Sequence, residues 1–101
     1  MIRVVMPYHL RRLAGLLEAG DVEVHLAGPA ETVGDLLTEL EARYPVLRGT
    51  IRDTVSLERR AMVRFFACGE DVSLASAADP LPKLIQDGDE PFLIIGAIAG
   101  G

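Results

Sequence analysis

The sequence predicts an α+β fold in which one mixed sheet packs on one main helix. Three observations carry that reading. A capped amphipathic pattern occupies residues 32–44, β-branched apolar runs stand near both ends of the chain, and the other helical patterns are short. A chain of 101 residues suits a single domain. At that size roughly 60–70% of the unfolded surface is buried, enough for a core without staples. An apolar share of 50% excludes wholesale disorder.

The elements follow in order. Ile2–Met6 is a β-branched apolar run bounded by Pro7, and reads as a strand. Tyr8 to Leu17 has Leu10, Leu13, Leu16 and Leu17 at helical spacing, but Gly15 and Gly20 limit it to a short turn of helix within a loop. Val22, Val24 and Leu26 then alternate with Asp21, Glu23 and His25, which is the pattern of a half-buried strand and a hairpin partner for the first. Gly28-Pro29 closes it. Thr32-Val33-Gly34-Asp35 matches a capping box, and Val33, Leu36, Leu37, Leu40 and Tyr44 form one apolar stripe. Glu39 and Arg43 are spaced to pair at i,i+4, and Pro45 ends the helix.

Beyond the helix, residues 46–55 are mixed and contain one helical turn. Ala61–Cys68 is a second β-like run, closed by a turn at Gly69-Glu70-Asp71. Leu81–Ile85 suggests another brief helical turn, Asp87-Gly88-Asp89 a tight turn, and Phe92–Ile95 an apolar last strand. If the first and last strands are neighbours, their pairing is parallel and central, which is the β-grasp plan.

Charge and composition exclude several functions. Ten basic against 15 acidic residues give a net charge of −5, with Lys83 the single lysine. That balance argues against nucleic acid as a partner and favours a basic protein surface. The longest apolar stretch, Phe92 to Gly101, is about half the length that crosses a bilayer, so no membrane association is expected. The N-terminus turns polar too early for a secretory signal, and the lone Cys68 excludes an internal disulfide; a cytoplasmic location is expected.

No enzyme signature appears. Cys68 lacks a sequence partner and reads as a small buried residue at a strand end. His9 and His25 are too few for a metal cage, and Asp87, Asp89 and Glu90 lack the remaining spacing of a calcium loop; no metal and no cofactor are expected. Gly28, Gly34 and Gly49 match no phosphate-binding pattern. Arg59, Arg60 and Arg64, like Arg11 and Arg12, read as solvated faces.

The C-terminus carries the strongest signal. Gly96-Ala97-Ile98-Ala99-Gly100-Gly101 stays apolar up to two closing glycines, whereas a frayed end is usually polar. Without Cβ atoms, the last two peptides can enter a channel too narrow for side chains. Six extended residues reach roughly 20 Å, enough to carry a carboxylate into a partner's site.

On these features the chain resembles the MoaD/ThiS sulfur carriers, small ubiquitin-like β-grasp proteins. The marks are the opening strand Ile2–Met6, the helix motif Thr32-Val33-Gly34-Asp35-Leu36-Leu37 leading to Leu40 and Tyr44-Pro45, the turn Asp87-Gly88-Asp89, and the last strand running to Ala99-Gly100-Gly101. The resemblance covers nearly the whole chain and implies one β-grasp domain over residues 1–101, with a diglycine tail from about 96 to 101. It also implies that the chain is no enzyme itself. A ubiquitin-activating-like enzyme would use ATP to adenylate Gly101. Sulfur would then replace the adenylate, and the resulting thiocarboxylate would serve a downstream sulfur-accepting biosynthetic enzyme. Gly101 would be the covalent site, while Gly100, Ala99 and Ile98 would thread into the partner.

Two departures bear on subtype. Gly96-Ala97 stands where molybdopterin-synthase small subunits usually have a Pro-Pro pair, and Cys68-Gly69 replaces an Asn-Gly turn. The segment Met6-Pro7-Tyr8-His9-Leu10-Arg11, followed by Ala14-Gly15, looks more like carriers serving cysteine or other small-metabolite synthesis. Thiamine and molybdopterin pathways stay open beside these. Two other readings also stay open: a protein modifier joined to targets through Gly101, and a β-grasp binding module whose tail is never activated.

Overall fold

The computed structural model describes residues 1–17 and 23–96. The expected Asp21 and Val22 of the second strand, and the tail residues 97–101, lie outside the described residues. The elements are β1 (Ile2–Val5), α1 (Tyr8–Leu13), β2 (Glu23–Leu26), α2 (Val33–Arg43), a 3-10 turn (Pro45–Leu47), β3 (Val63–Ala67), β4 (Glu70–Asp71), α3 (Lys83–Gln86) and β5 (Phe92–Gly96). They form one sheet in the order β2-β1-β5-β3-β4.

The sheet is mixed for a reason visible in its register. β1 and β2 pair antiparallel, with Ile2 opposite Leu26 and Val4 opposite Val24. β5 returns after α2 to lie parallel to β1, with Val4 opposite Phe92 and Val5 opposite Leu93. β3 pairs antiparallel on the other side of β5, from Val63↔Gly96 to Ala67↔Phe92. The central parallel pair and the single covering helix are those of the expected β-grasp.

Alternation along the strands sorts their side chains. Ile2, Val4, Val24, Leu26, Val63, Phe65, Ala67, Phe92 and Ile94 point to one face and join Leu36, Leu37 and Leu40 of α2 in a single core. Phe65 and Phe92 meet within it at a centroid distance of 5.4 Å, tilted by 45°. The capping box forms in altered shape. Thr32 Oγ1 accepts from the Asp35 N–H at 3.0 Å, while the Asp35 carboxylate accepts from the N–H of Glu31 at 3.3 Å, one residue before the N-cap.

Four local expectations are corrected. Glu70-Asp71 is an edge strand, pairing with Phe66 and Ala67, and the turn is Cys68-Gly69. Both turn residues have positive φ (53° and 81°), as a two-residue type I′ hairpin requires, so Cys68 faces solvent and is not buried. A two-residue strand is too short to show an alternation in sequence. Glu39 and Arg43 form no ion pair among the described residues; Arg43 Nε donates instead to the Tyr44 hydroxyl at 3.2 Å. Arg59 does not belong to a solvated face. It donates to the carbonyls of Ser73 (2.9 Å) and Val63 (2.6 Å), and fastens the approach to β3.

A buried ion pair holds the same connection from its other end. Arg52 is 5% exposed and Glu41 9%. Arg52 Nε and Nη2 donate to the two Glu41 carboxylate oxygens at 3.1 Å each, and Nη2 also donates to Thr38 Oγ1 at 3.0 Å. This bidentate pair ties residues 48–62 to the back of α2.

Leu36→Ala or Leu40→Ala removes a side chain that is 0% exposed, and chemical denaturation should show a loss of about 2–5 kcal/mol. Arg52→Ala should cost about 3–5 kcal/mol by the same measurement, because the Glu41 carboxylate is left buried without its partner. Replacing both residues together by Met and Leu should cost less than either single truncation.

Candidate functional site

β5 is the strand from which the tail continues, and its place in the sheet decides what surrounds the tail's root. Gly96, the last described residue, is paired with Val63 at the end of β3. β5 lies between β1 and β3, pairing with β1 at Phe92 and Leu93 and with β3 along its length to Gly96. The proposed covalent residue Gly101 and the threading residues Gly100, Ala99 and Ile98 lie outside the described residues.

The face of the sheet turned away from α2 leads toward that root. Val5 and Phe66 flank Leu93 in register, and Ile95, 45% exposed, stands opposite Arg64. These residues make an apolar strip along β1, β5 and β3. It is bordered by Arg64–Asp71 (2.7 Å) on one side and by Arg3–Glu23–His25 on the other. The Glu23 carboxyl is held below its ordinary pKa, first by its hydrogen bond from Arg3 and then by that from His25. The Asp71 carboxyl is lowered to about 2 by the Ser73 hydroxyl, then by the Ser73 N–H and Arg64. Both borders are therefore charged at neutral pH, and the apolar strip runs between them.

On the opposite side of the root stands the start of α1. An added Cβ at Gly96 would come 2.5 Å from His9 Cε1, 3.2 Å from His9 Nε2 and 3.5 Å from Pro7 Cγ. The imidazole thus occupies the space that a side chain at position 96 would need.

The other candidate residues do not gather into a site. His25 sits with Glu23, Cys68 on the far hairpin, and Asp87 beside Lys83 at 3.2 Å. Among the described residues, no group of acidic, histidine or cysteine side chains is placed to hold a metal ion. Arg11 donates to the Met6 carbonyl at 3.1 Å, and Arg60 to the Gly49 carbonyl at 2.8 Å. No helix among the described residues is long and apolar enough to cross a membrane. The outward strip was not read from the sequence. Its signal was present in the alternate residues Val5, Leu93 and Ile95, but choosing their face needs the position of α2.

Compared by sequence, the chain matches no family model and no curated protein. Its structural likenesses are clear and span nearly the whole chain. CysO from Mycobacterium tuberculosis is 25% identical, covering 97% of this chain and 100% of that one, with a TM-score of 0.72. CysO of Amycolatopsis orientalis, solved in complex with BexX, is 20% identical over 100% of both chains at a TM-score of 0.73. SAMP1 from Haloferax volcanii, a small archaeal modifier protein, is 19% identical over 99% of this chain and 98% of that one, at 0.72. The fold is thus the ubiquitin-like β-grasp that the resemblance to the MoaD/ThiS group implies.

The pKa of Asp71 gives the borders of the face a pH dependence. A carboxylate with a depressed folded-state pKa stabilises the fold above its unfolded value near 3.9, and that contribution is lost as pH falls toward about 2. In thermal melts, Asp71→Asn should therefore be less stable than the parent at pH 7. The gap between their melting temperatures should close between about pH 4 and pH 2.

Proposed function

We propose that this chain is a small carrier whose C-terminal Gly101 is adenylated by a ubiquitin-activating-like enzyme and converted to a thiocarboxylate. The sulfur is then passed to a biosynthetic enzyme making a small metabolite, of the cysteine type in preference to molybdopterin. One observation carries the reading: the strand that runs on into Ala97-Ile98-Ala99-Gly100-Gly101 is the central strand of a ubiquitin-like sheet. That strand lies between β1 and β3, and its pairing with β3 reaches Gly96, so the last described residue before the tail belongs to the sheet. The chain supplies an acyl group and a recognition surface, and the partner enzymes supply ATP chemistry and acid–base groups.

The apolar strip of Val5, Phe66, Leu93 and Ile95 is the surface on which the activating enzyme would dock, with the Arg64–Asp71 pair fixing orientation at its rim. The Amycolatopsis neighbour, solved in complex with another protein, supports a partner-docking role for this fold. The small archaeal modifier among the neighbours supports a second reading, in which Gly101 is joined to lysines of target proteins. Both readings share the activation step and differ in the acceptor. The departure from the Pro-Pro pair and the segment from Met6 to Arg11 bear on the pathway, favouring cysteine-type delivery over molybdopterin, and do not separate the carrier from the modifier.

Intact-mass measurement after co-expression with an activating enzyme and a sulfide source should show oxygen replaced by sulfur at the C-terminus. An unchanged mass, under conditions that charge a known carrier, overturns the carrier reading. If higher-mass adducts appear in cell extract and vanish when Gly101 is deleted, the modifier reading replaces it.

A further inference from the structure

We propose that Met62 and Leu74 form a second apolar docking surface, tied together by Arg59 and joined to the outward strip through Ile95. Its occupant is the enzyme that takes up the tail, which brings an apolar patch with a basic rim. The identity of that occupant rests on the activation of Gly101 proposed above, whereas the surface itself can be tested without it.

The surface is built around the first residue of β3. Val63 stands opposite Gly96, the last described residue of β5, and Arg64 stands opposite Ile95. Met62 immediately precedes Val63 and is 51% exposed. Along the outer edge of β3, the chain that follows β4 is held to Phe65. The Val72 N–H donates to the Phe65 carbonyl at 2.8 Å, and the Phe65 N–H donates to Ser73 Oγ at 2.8 Å. Leu74 comes next, 88% exposed, while Ile95 is 45% exposed. Three segments distant in sequence therefore bring large apolar side chains to one end of β3, and such a concentration in water marks a protein interface.

Arg59 makes this surface firm. β4 pairs only with Phe66 and Ala67, so it leaves the outer edge of β3 uncovered at Val63. The guanidinium fills that place: Nε donates to the Ser73 carbonyl at 2.9 Å, and Nη1 donates to the carbonyls of Val63 at 2.6 Å and Arg60 at 3.0 Å. One planar group thus joins the main chains on which Met62 and Leu74 stand. Backbone carbonyls on both segments set the spacing of the two residues.

The length of the tail says what covers the surface. Five residues follow Gly96, and fully extended they reach at most roughly 18 Å. An enzyme that holds Gly101 must bring its own surface within that distance of the end of β5, whichever way the tail points. Met62, next to the residue that pairs with Gly96, lies inside this reach. Glu58, beside Arg59, is exposed and forms no ion pair among the described residues. The complementary rim of the enzyme is therefore basic.

The test uses the full chain. The soluble nitroxide TEMPOL samples exposed apolar surfaces, and in amide NMR spectra its relaxation enhancement at Met62, Leu74 and Ile95 should exceed that at Leu84, which is 48% exposed on α3. Equal enhancement at Leu84 overturns the surface. Arg59→Ala should shift the amide signals of Met62 and Leu74 together, and an unmoved Leu74 overturns the tie. With an activating enzyme and ATP, Met62→Glu and Leu74→Glu should each raise KM for this chain about tenfold at nearly constant kcat, while Leu84→Glu changes neither. An unchanged KM in either of the first two variants overturns the enzyme as occupant. So does sedimentation showing a wild-type dimer that Met62→Glu dissociates, because a second copy then covers the surface. If wild type is not activated by enzymes that charge other carriers, the proposed function fails, and the nitroxide measurement still decides on the surface.

Discussion

The parallel pairing of β1 with β5 is the constraint on which the rest of the molecule depends. Val4 opposite Phe92 and Val5 opposite Leu93 join strands from the two ends of the described chain. A parallel neighbour cannot be reached by a tight turn, so the chain must cross over between them, and α2 is the main element of that crossing. The same pairing leaves β5 with β1 on one edge and β3 on the other. β1 holds Phe92 and Leu93, and β3 pairs with β5 as far as Gly96, so the last described residue is still held in the sheet on one edge. Core and candidate site are thus two results of one strand arrangement.

The connection from α2 to β3 shows how polar groups serve that arrangement. Between the 3-10 turn and β3 the chain has no regular structure long enough to satisfy its own backbone. Arginines take over part of this task. Arg52 is buried against Glu41 and Thr38, Arg59 reaches the carbonyls of Ser73 and Val63, and Arg60 reaches that of Gly49. A guanidinium can donate several hydrogen bonds in a fixed planar fork, which suits it to bridging carbonyls and carboxylates that a lysine-like point charge would meet one at a time. Nine of the ten basic residues are arginine, and several of them act within the fold rather than on a partner.

The likeness to CysO and SAMP1 arises without close sequence identity, which the physics of the fold explains. What the sheet needs at most positions is apolar character with a period of two, and what α2 needs is a stripe and a cap. Many sequences satisfy both. The positions with the tightest backbone demands lie where chains approach or turn: Cys68-Gly69 in the hairpin, and Gly96 beside His9. The fold leaves such positions less freedom than the alternating positions of its strands.

Local signals made α2 legible, because Thr32, Asp35 and the leucines at 36, 37 and 40 act within one helix and need no distant partner. The strands at 2–6, 61–68 and 92–95 were legible for the same reason, as was the turn at Asp87-Gly88-Asp89. The role proposed for the diglycine tail rests on the sequence alone, since glycine's lack of a side chain is a property of the residue itself. Tertiary structure alone decided the exposed face of the sheet, the burial of Glu41 with Arg52, the edge strand at Glu70-Asp71 and the seat of His9 on Gly96. Each of these depends on groups distant in sequence being brought within a few ångströms, and no local propensity records where a remote partner will stand.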